Sequence, residues 1–427
     1  MLLTTPRLFD GSGSGRPGWV HTMDGRVVEV GDGPPPVDRD RREYAFLAPA
    51  LVDGHCHVTG YRAYPNADTP FAPHRAFLAL LREAGVGAVR DLGNHAEMAA
   101  NLPLLPDAPI VRAAGPVLDE PPGRVEHCRL VVDEAGVRDA VRRAAAEGLT
   151  WVKTYSALRP RWVAAAVEEA AAHGLRVAHR PGRTDAVTAV RLGVASVEHL
   201  PLCLSPAVPA ATAVGRRSPA DIVRAWADPA QAHFVPDLMS TVAGTATAVT
   251  PLLLAWRRAA VLEEAVAEPL LDRLEAVAPY HKHLHQMRGP GLAFGRKYAR
   301  RYLGYEQLRG QARQEFEQGW AALCRCLVDL AAVGVPLVAG SDAPGVSLVP
   351  GYALHAELAI WEAAGLDRAA VLAAATTGNA RWLGIPPWSA GVLALPADPF
   401  TAPALTAALA GAALAVAPAT ATLEVVP

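Results

Sequence analysis

The sharpest chemical signal in the chain is His55-Cys56-His57, two imidazoles closing the apolar run LVDGHCH. Residues two apart on a β-strand face the same way, so both rings could reach one cation. Four further residues able to bind or bridge a metal also end short apolar runs: Lys153 in WVKTY, His179 in LRVAH, His199 in SVEHL and Asp342 in PLVAGSD. Each has a plainer use. A lone HxH in a chain with 14 histidines also fits chance. His179 and His199 could be buried rings bonded to backbone carbonyls, and Asp342 an Asx-turn or helix cap. Lys153 could be salt-bridged or snorkelling. It stands out all the same, because Lys153, Lys282 and Lys297 are the only lysines among 40 basic residues. Strand alternation turns it inward with Trp151 and Tyr155. Burial lowers a lysine pKa, and a neutral amine can add carbon dioxide to give a carbamate, a carboxylate-like ligand able to bridge two cations.

Such residues meet only if their strands lie side by side. From residue 51 to 383 short apolar strands alternate with Ala-rich helices such as AVRRAAAEG, WVAAAVEEAAAHG and AVTAVRLG, each closed by a glycine, the pattern of βα units on a parallel sheet. Strands are expected at 51–57, 87–93, 110–115, 151–155, 175–179, 196–200, 233–238 (HFVPDL) and 336–342. Eight make a (β/α)8 TIM barrel, an α/β fold whose strand C-termini share one rim. An insertion over about 239–330, with the GPGLAFG loop, separates the last two strands and is placed to shape a pocket. Residues 1–50 and 384–427 read as β-type pieces around Asp-Gly turns, and form together a small flanking β-sandwich.

Composition narrows the function. Forty basic against 42 acidic residues leave a net charge of -2, too little to hold nucleic acid or acidic lipid electrostatically. Residues 399–423 carry no charge, but Pro403 and Pro418 leave about 14 uninterrupted residues where a membrane span needs about 20, so core packing is expected. MLLTTPRLFDGSGSG lacks the pattern of a signal peptide. Five cysteines without framework spacing fit a reducing cytoplasm. Cys324 and Cys326 sit on an expected helix and point apart. His281, His283 and His285 read as a solvated face.

With HxH after the first strand, Lys after the fourth, His after the fifth and sixth, and Asp after the eighth, the chain resembles the amidohydrolase superfamily of metal-dependent hydrolases. More narrowly it resembles the binuclear prolidase-like and imidazolonepropionase-like branch. The likeness runs from RLFDGSG through LAPALVDGHCH, VRDLG, WVKTY, VEH and PLVAGSDAPG to TTGNARWLGI. It implies two divalent ions, Zn2+ first with Mn2+, Co2+ or Fe2+ as alternatives. His55 and His57 would hold the buried ion, His179 and His199 the exposed one, and carbamylated Lys153 would bridge them. Asp342 would complete the buried position and act as the catalytic proton carrier. A metal-bridging hydroxide would then cleave an amide or cyclic amide C–N bond in a small molecule or dipeptide-like substrate.

Two stretches depart from the family. The tail LGIPPWSAGVLALPADPF omits the usual turn before its strand, and LDEPPGRVEHC lacks a Gly-Gly-His loop, so substrate recognition does not transfer there. The alternatives are a lactonase or esterase, a non-hydrolytic reaction at the same metals, a mononuclear deaminase, and a catalytically silent binding protein. Against the deaminase, Gly182 stands where such enzymes carry Glu three residues after the fifth-strand histidine. Substrate contacts are assigned to Tyr155, Arg180 and His233, with core packing the alternative for Tyr155 and a structural salt bridge for Arg180. No nucleic-acid or membrane partner is expected, and self-association stays open.

Overall fold

The computed structural model describes residues 1–36, 40–58, 72–93, 108–121, 123, 128–206, 218–231, 234–275, 277, 308–345 and 347–418. Both chain ends contribute to one seven-stranded sheet. Its strands are β1 (Leu2–Leu8), β2 (Arg16–Met23), β3 (Arg26–Asp32), β4 (Arg41–Glu43) and β5 (Phe46–Pro49) from the start of the chain, joined by two late strands. The late pair, Val392–Leu395 and Ala413–Val416, adds at β5, where Leu393 pairs with Ala48.

Between these ends the fold is α/β with parallel strands. A three-stranded sheet holds β6 (Leu51–Cys56), β7 (Val86–Asp91) and β8 (Ile110–Ala113). A six-stranded sheet holds β9 (Leu118–Asp119), β10 (Arg129–Leu130), β11 (Trp151–Thr154), β12 (Arg176–His179), β13 (Ser196–Glu198) and β14 (Ala248–Thr250). β6, β7 and β11 are buried along their whole length, as parallel strands covered on both faces must be. The late strands Val392–Leu395 and Ala413–Val416 are β15 and β16.

Hydrogen bonds link the two parallel sheets edge to edge. Thr150 N–H donates to Ala113 O at 3.3 Å, carrying β8 toward β11. At the other edge Val249 N–H donates to Pro336 O and Val338 N–H to Val249 O, both at 2.9 Å. That extended segment returns to β6, with Gly54 N–H on Ala339 O at 2.8 Å and His57 N–H on Ala343 O at 2.8 Å. The arrangement is compatible with a closed barrel.

Local chemistry explains the helices around it. Asp133 caps the helix Glu134–Ala146 by accepting from Gly136 N–H at 2.7 Å, and Ser218 forms a capping box with Asp221. Gly148, Gly174 and Gly193 follow helix ends at φ of +72°, +69° and +86°, the left-handed conformation expected of a closing glycine.

Two expected strands differ: 336–342 stays extended with only an isolated bridge, Leu337 to Val249, and one is overturned. HFVPDL does not form the seventh strand: Phe234–Ala243 is a helix, and β14 takes that place. Pro236 lies in the helix's first turn, where its missing N–H costs nothing. The insertion therefore begins after β14. Its GPGLAFG loop and His281, His283 and His285 lie outside the described residues, as does the end of the chain, ATLEVVP. Cys324 and Cys326 lie on the helix Gly310–Ala332, and no disulfide joins any of the five cysteines among the described residues. Among the described residues no helix is long and apolar enough to cross a membrane.

Asn379 ties the first strand to the last segment. Its buried amide donates to Val52 O and Ala339 O, both at 2.7 Å, while its oxygen accepts from Ala339 N–H at 3.2 Å. Asn379→Ala removes the amide's bonds to Val52 O and Ala339 N–H and one of the two that reach Ala339 O, at about 1–3 kcal/mol for each buried group left unmatched. We expect a loss of about 2–5 kcal/mol, read as a lower denaturation midpoint at unchanged slope.

Candidate metal centre

Three of the six expected ligands meet directly. Donor atoms of His55, His57 and Asp342 all lie within 4.8 Å of one another. Asp342 Oδ1 is 3.0 Å from His57 Nε2 and 3.4 Å from His55 Nε2. β6 delivers the two imidazoles, and Asp342 enters from the segment bonded alongside through its own N–H on His55 O at 2.8 Å. Asp342 and His199 have left-handed backbones, φ +58° and +65°, a conformation that costs a non-glycine residue free energy and concentrates at functional sites.

The others stand nearby. His199 packs edge-on to His55 with ring centroids 5.3 Å apart, outside the three-residue group. Lys153 is fully buried on β11 and its amine has no hydrogen-bond partner. His179, at the end of β12, uses both nitrogens: Nε2 donates to Thr184 O at 3.0 Å, and Nδ1 faces Thr154 Oγ1 at 2.8 Å. Tyr155 and Arg180 lie beside this cluster. Arg180 stacks over Tyr155 at 5.0 Å and donates to Ser156 Oγ at 2.6 Å. No carboxylate pairs with Arg180 among the described residues. His233 lies outside them.

The residues that orient these ligands were not singled out in the sequence, although their signal was there as charges in short strands with apolar neighbours, VGAVRD and SVE. Glu198, buried on β13, accepts from His55 Nδ1 at 2.7 Å. Its carboxylate is held in turn by Arg90 of β7 at 3.0 Å and by Ser196 Oγ at 2.5 Å. Arg90 also donates to Gly54 O at 2.5 Å and Thr250 Oγ1 at 3.2 Å. Its guanidinium also packs against the paired Trp151 and Trp382 rings, 4.6 and 4.7 Å from their centroids. Asp53 accepts from Ser341 Oγ at 2.5 Å and from the N–H groups of His55 and Ser341 at 3.1 and 3.0 Å, steadying both sides of the cluster. Trp256 Nε1 donates to His199 Nδ1 at 3.2 Å.

The electrostatics suit a cation. Burial and the charge of Lys153 push His55 down to about 4, and burial brings His179 to about 4 and His199 well below its ordinary value. All three are neutral donors at pH 7. Burial would raise Asp342, but His57 and the neighbouring histidines hold it below the usual carboxylate range. Glu198 is likewise held well below that range: Arg90, Lys153 and His55 outweigh its burial. Burial would lower His57, but the Asp342 carboxylate holds it above its ordinary value; a permanent anion beside imidazoles is a donor set for a divalent ion, which binds in place of that proton. His55 Nε2 is buried without a hydrogen-bond partner, and its other nitrogen is fixed by a carboxylate, the usual setting of a metal-ligating histidine. The residues fit a metal.

Three solved structures share this fold. Bottromycin amidohydrolase superposes with a TM-score of 0.70 at 24% identity, covering 96% of this chain and 84% of its own. A putative prolidase from Bifidobacterium longum gives 0.63 at 18%, covering 98% and 95%. A Xaa-Pro dipeptidase with bound methionine gives 0.61 at 15%, covering 93% and 94%. At identities of 24% and below, the likeness is one of fold. No protein-family model and no curated protein matches the chain.

Burial brings Lys153 from about 10.5 down to about 7. Between those values the unfolded chain holds the extra proton, so this residue makes stability rise with pH across that window, with its full penalty below pH 7. Metal-stripped Lys153→Met should therefore be more stable than wild type by on the order of 5 kcal/mol near pH 6. The difference should shrink toward pH 10, as followed by denaturant titration at successive pH values.

Proposed function

We propose that the chain is a metal-dependent hydrolase of the amidohydrolase type. It would cleave an amide or cyclic amide C–N bond in a small molecule or dipeptide-like substrate. The observation that carries this reading is the convergence of His55, His57 and Asp342, residues nearly 300 apart in sequence, with His55 oriented by a buried carboxylate. The frame we propose is a (β/α)8 barrel over residues 51–383, supported by the bonds linking its two parallel sheets. Residues 1–50 and 384–427 form the flanking β-module. The names of the structural neighbours, an amidohydrolase, a prolidase and a dipeptidase, support the bond class.

His55, His57 and Asp342 would hold one ion, and His179 and His199 a second. Lys153 can join them once its amine, brought to about 7 by burial, has taken up carbon dioxide as a carbamate. Zn2+ suits the imidazole-rich set, and Mn2+, Co2+ and Fe2+ share it. When bound, such ions acidify water and polarise a carbonyl. The protein supplies the rest. Asp342 is ionised, borders the cluster and is about one-fifth exposed, so it can take a proton and return it to a departing amine. Arg180, which pairs with no carboxylate among the described residues, and Tyr155 beneath it are positioned to hold a polar or anionic part of the substrate. Glu198 keeps the His55 Nε2 lone pair turned inward.

The test is turnover of a panel of dipeptides, N-acyl amino acids and cyclic amides by metal-loaded protein, read as amine release. Asp342→Asn should keep much of the bound metal, measured by elemental analysis, while kcat falls roughly 10²- to 10⁴-fold. A near-normal rate in that variant would sink the proton-transfer role. Failure of the loaded wild type on every amide would sink the bond class.

A further inference from the structure

We propose that Trp256 makes the two metal positions unequal: its indole N–H holds His199 in a tautomer that cannot ligate, so an ion at His55, His57 and Asp342 binds tightly and one at His179 and His199 only weakly. This rests on the metal-hydrolase reading above.

A neutral imidazole has one nitrogen with a lone pair, and the partner of the other ring position decides which. For His55 the partner is the Glu198 carboxylate, which only accepts. Nδ1 therefore carries the proton and Nε2 is left free to ligate. For His179 the partner of Nε2 is Thr184 O, again only an acceptor, so Nδ1 carries the lone pair. That lone pair meets the Thr154 hydroxyl at 2.8 Å, but a hydroxyl rotates, and Ala178 O lies 3.4 Å from Thr154 Oγ1 as an alternative acceptor. His179 is released at little cost.

At His199 the sign of the partner is reversed. An indole N–H only donates, so the Nδ1 that faces it at 3.2 Å must accept. An ion on Nδ1 has to displace the indole. An ion on Nε2 has to drive the ring proton to Nδ1, setting one N–H against another. Either route loses a hydrogen bond and leaves a buried donor unmatched, a penalty of roughly 5- to 100-fold in affinity.

Trp256 is not placed to swing aside. It is buried on the helix Leu253–Ala260. The first N–H groups of that helix, on Leu253 and Leu254, are held at 3.0 and 2.7 Å by the buried carboxylate of Glu357. The Arg180 guanidinium lies 5.9 Å from the Trp256 ring.

The experiment is calorimetric titration of chelator-stripped wild type and Trp256→Phe with Zn2+ at fixed bicarbonate, with bound metal counted by elemental analysis. Wild type should take one ion tightly and a second at least about tenfold more weakly. Trp256→Phe should tighten the second about tenfold and leave the first unchanged. An unchanged ratio, or two equal ions in wild type, overturns the inference while leaving the hydrolase reading intact. No tight ion in either protein overturns both. Should Trp256→Phe fail to fold, ring 15N spectra of metal-free wild type decide: a proton on His199 Nε2 supports the inference, and one on Nδ1 overturns it.

Discussion

The structure turns on a full charge pair held inside it, Arg90 with Glu198, both completely buried. Removing two charges from water costs several kcal/mol for each, and their attraction offsets this only if the remaining hydrogen-bonding capacity is also met. Here it is met by groups from different strands: Gly54 O on β6, Ser196 on β13 and Thr250 on β14. The guanidinium also packs against a pair of indole rings. The pair thus works only when four strands stand in one register. What that register delivers is an ionised, acceptor-only carboxylate under His55. The reactive side of the cluster inherits its geometry from this cost.

A second layer of buried acids spends its charge differently, on backbone N–H groups. Asp53 binds the amides of His55 and Ser341, and Glu357 those of Leu253 and Leu254. Burial raises Asp53 to about 6 and Glu357 to about 7. The protein therefore tolerates weakened acids to fix the backbone where strands and helix meet the cluster. Left-handed His199 and Asp342 fit the same logic, since local strain persists only where the surroundings over-determine it. Cluster precision and fold stability oppose each other here.

What the sequence carried well was identity and order. The three residues that meet, His55, His57 and Asp342, could be found because each closes an apolar run, and alternating strands and helices imply a common rim. The seventh strand was misplaced for a physical reason. HFVPDL is short, apolar and compatible with either period, and its proline suits a first helical turn, while the true strand, Ala248–Thr250, is too brief to show alternation. Arg90 and Glu198 were readable as charges in short strands with apolar neighbours, yet only their mutual distance explains them. Trp256 was not readable at all. Nothing in the runs SVEHL and LLAW says that an indole 57 residues onward will face a particular imidazole nitrogen.

That last point separates a ligand list from a binding site. A sequence can name four histidines, but a histidine offers an ion one nitrogen, and the neighbour at the other position selects it. At His55 and His179 the selecting neighbours are a carboxylate and a carbonyl, which take a proton and free a lone pair. At His199 the neighbour is an N–H, which takes the lone pair instead. The same residue type at equivalent strand ends thus has opposite readiness for metal. The difference lies in whether the partner accepts or donates, and this single sign, more than distance or burial, divides a preformed position from one that has to be made by displacing a neighbour.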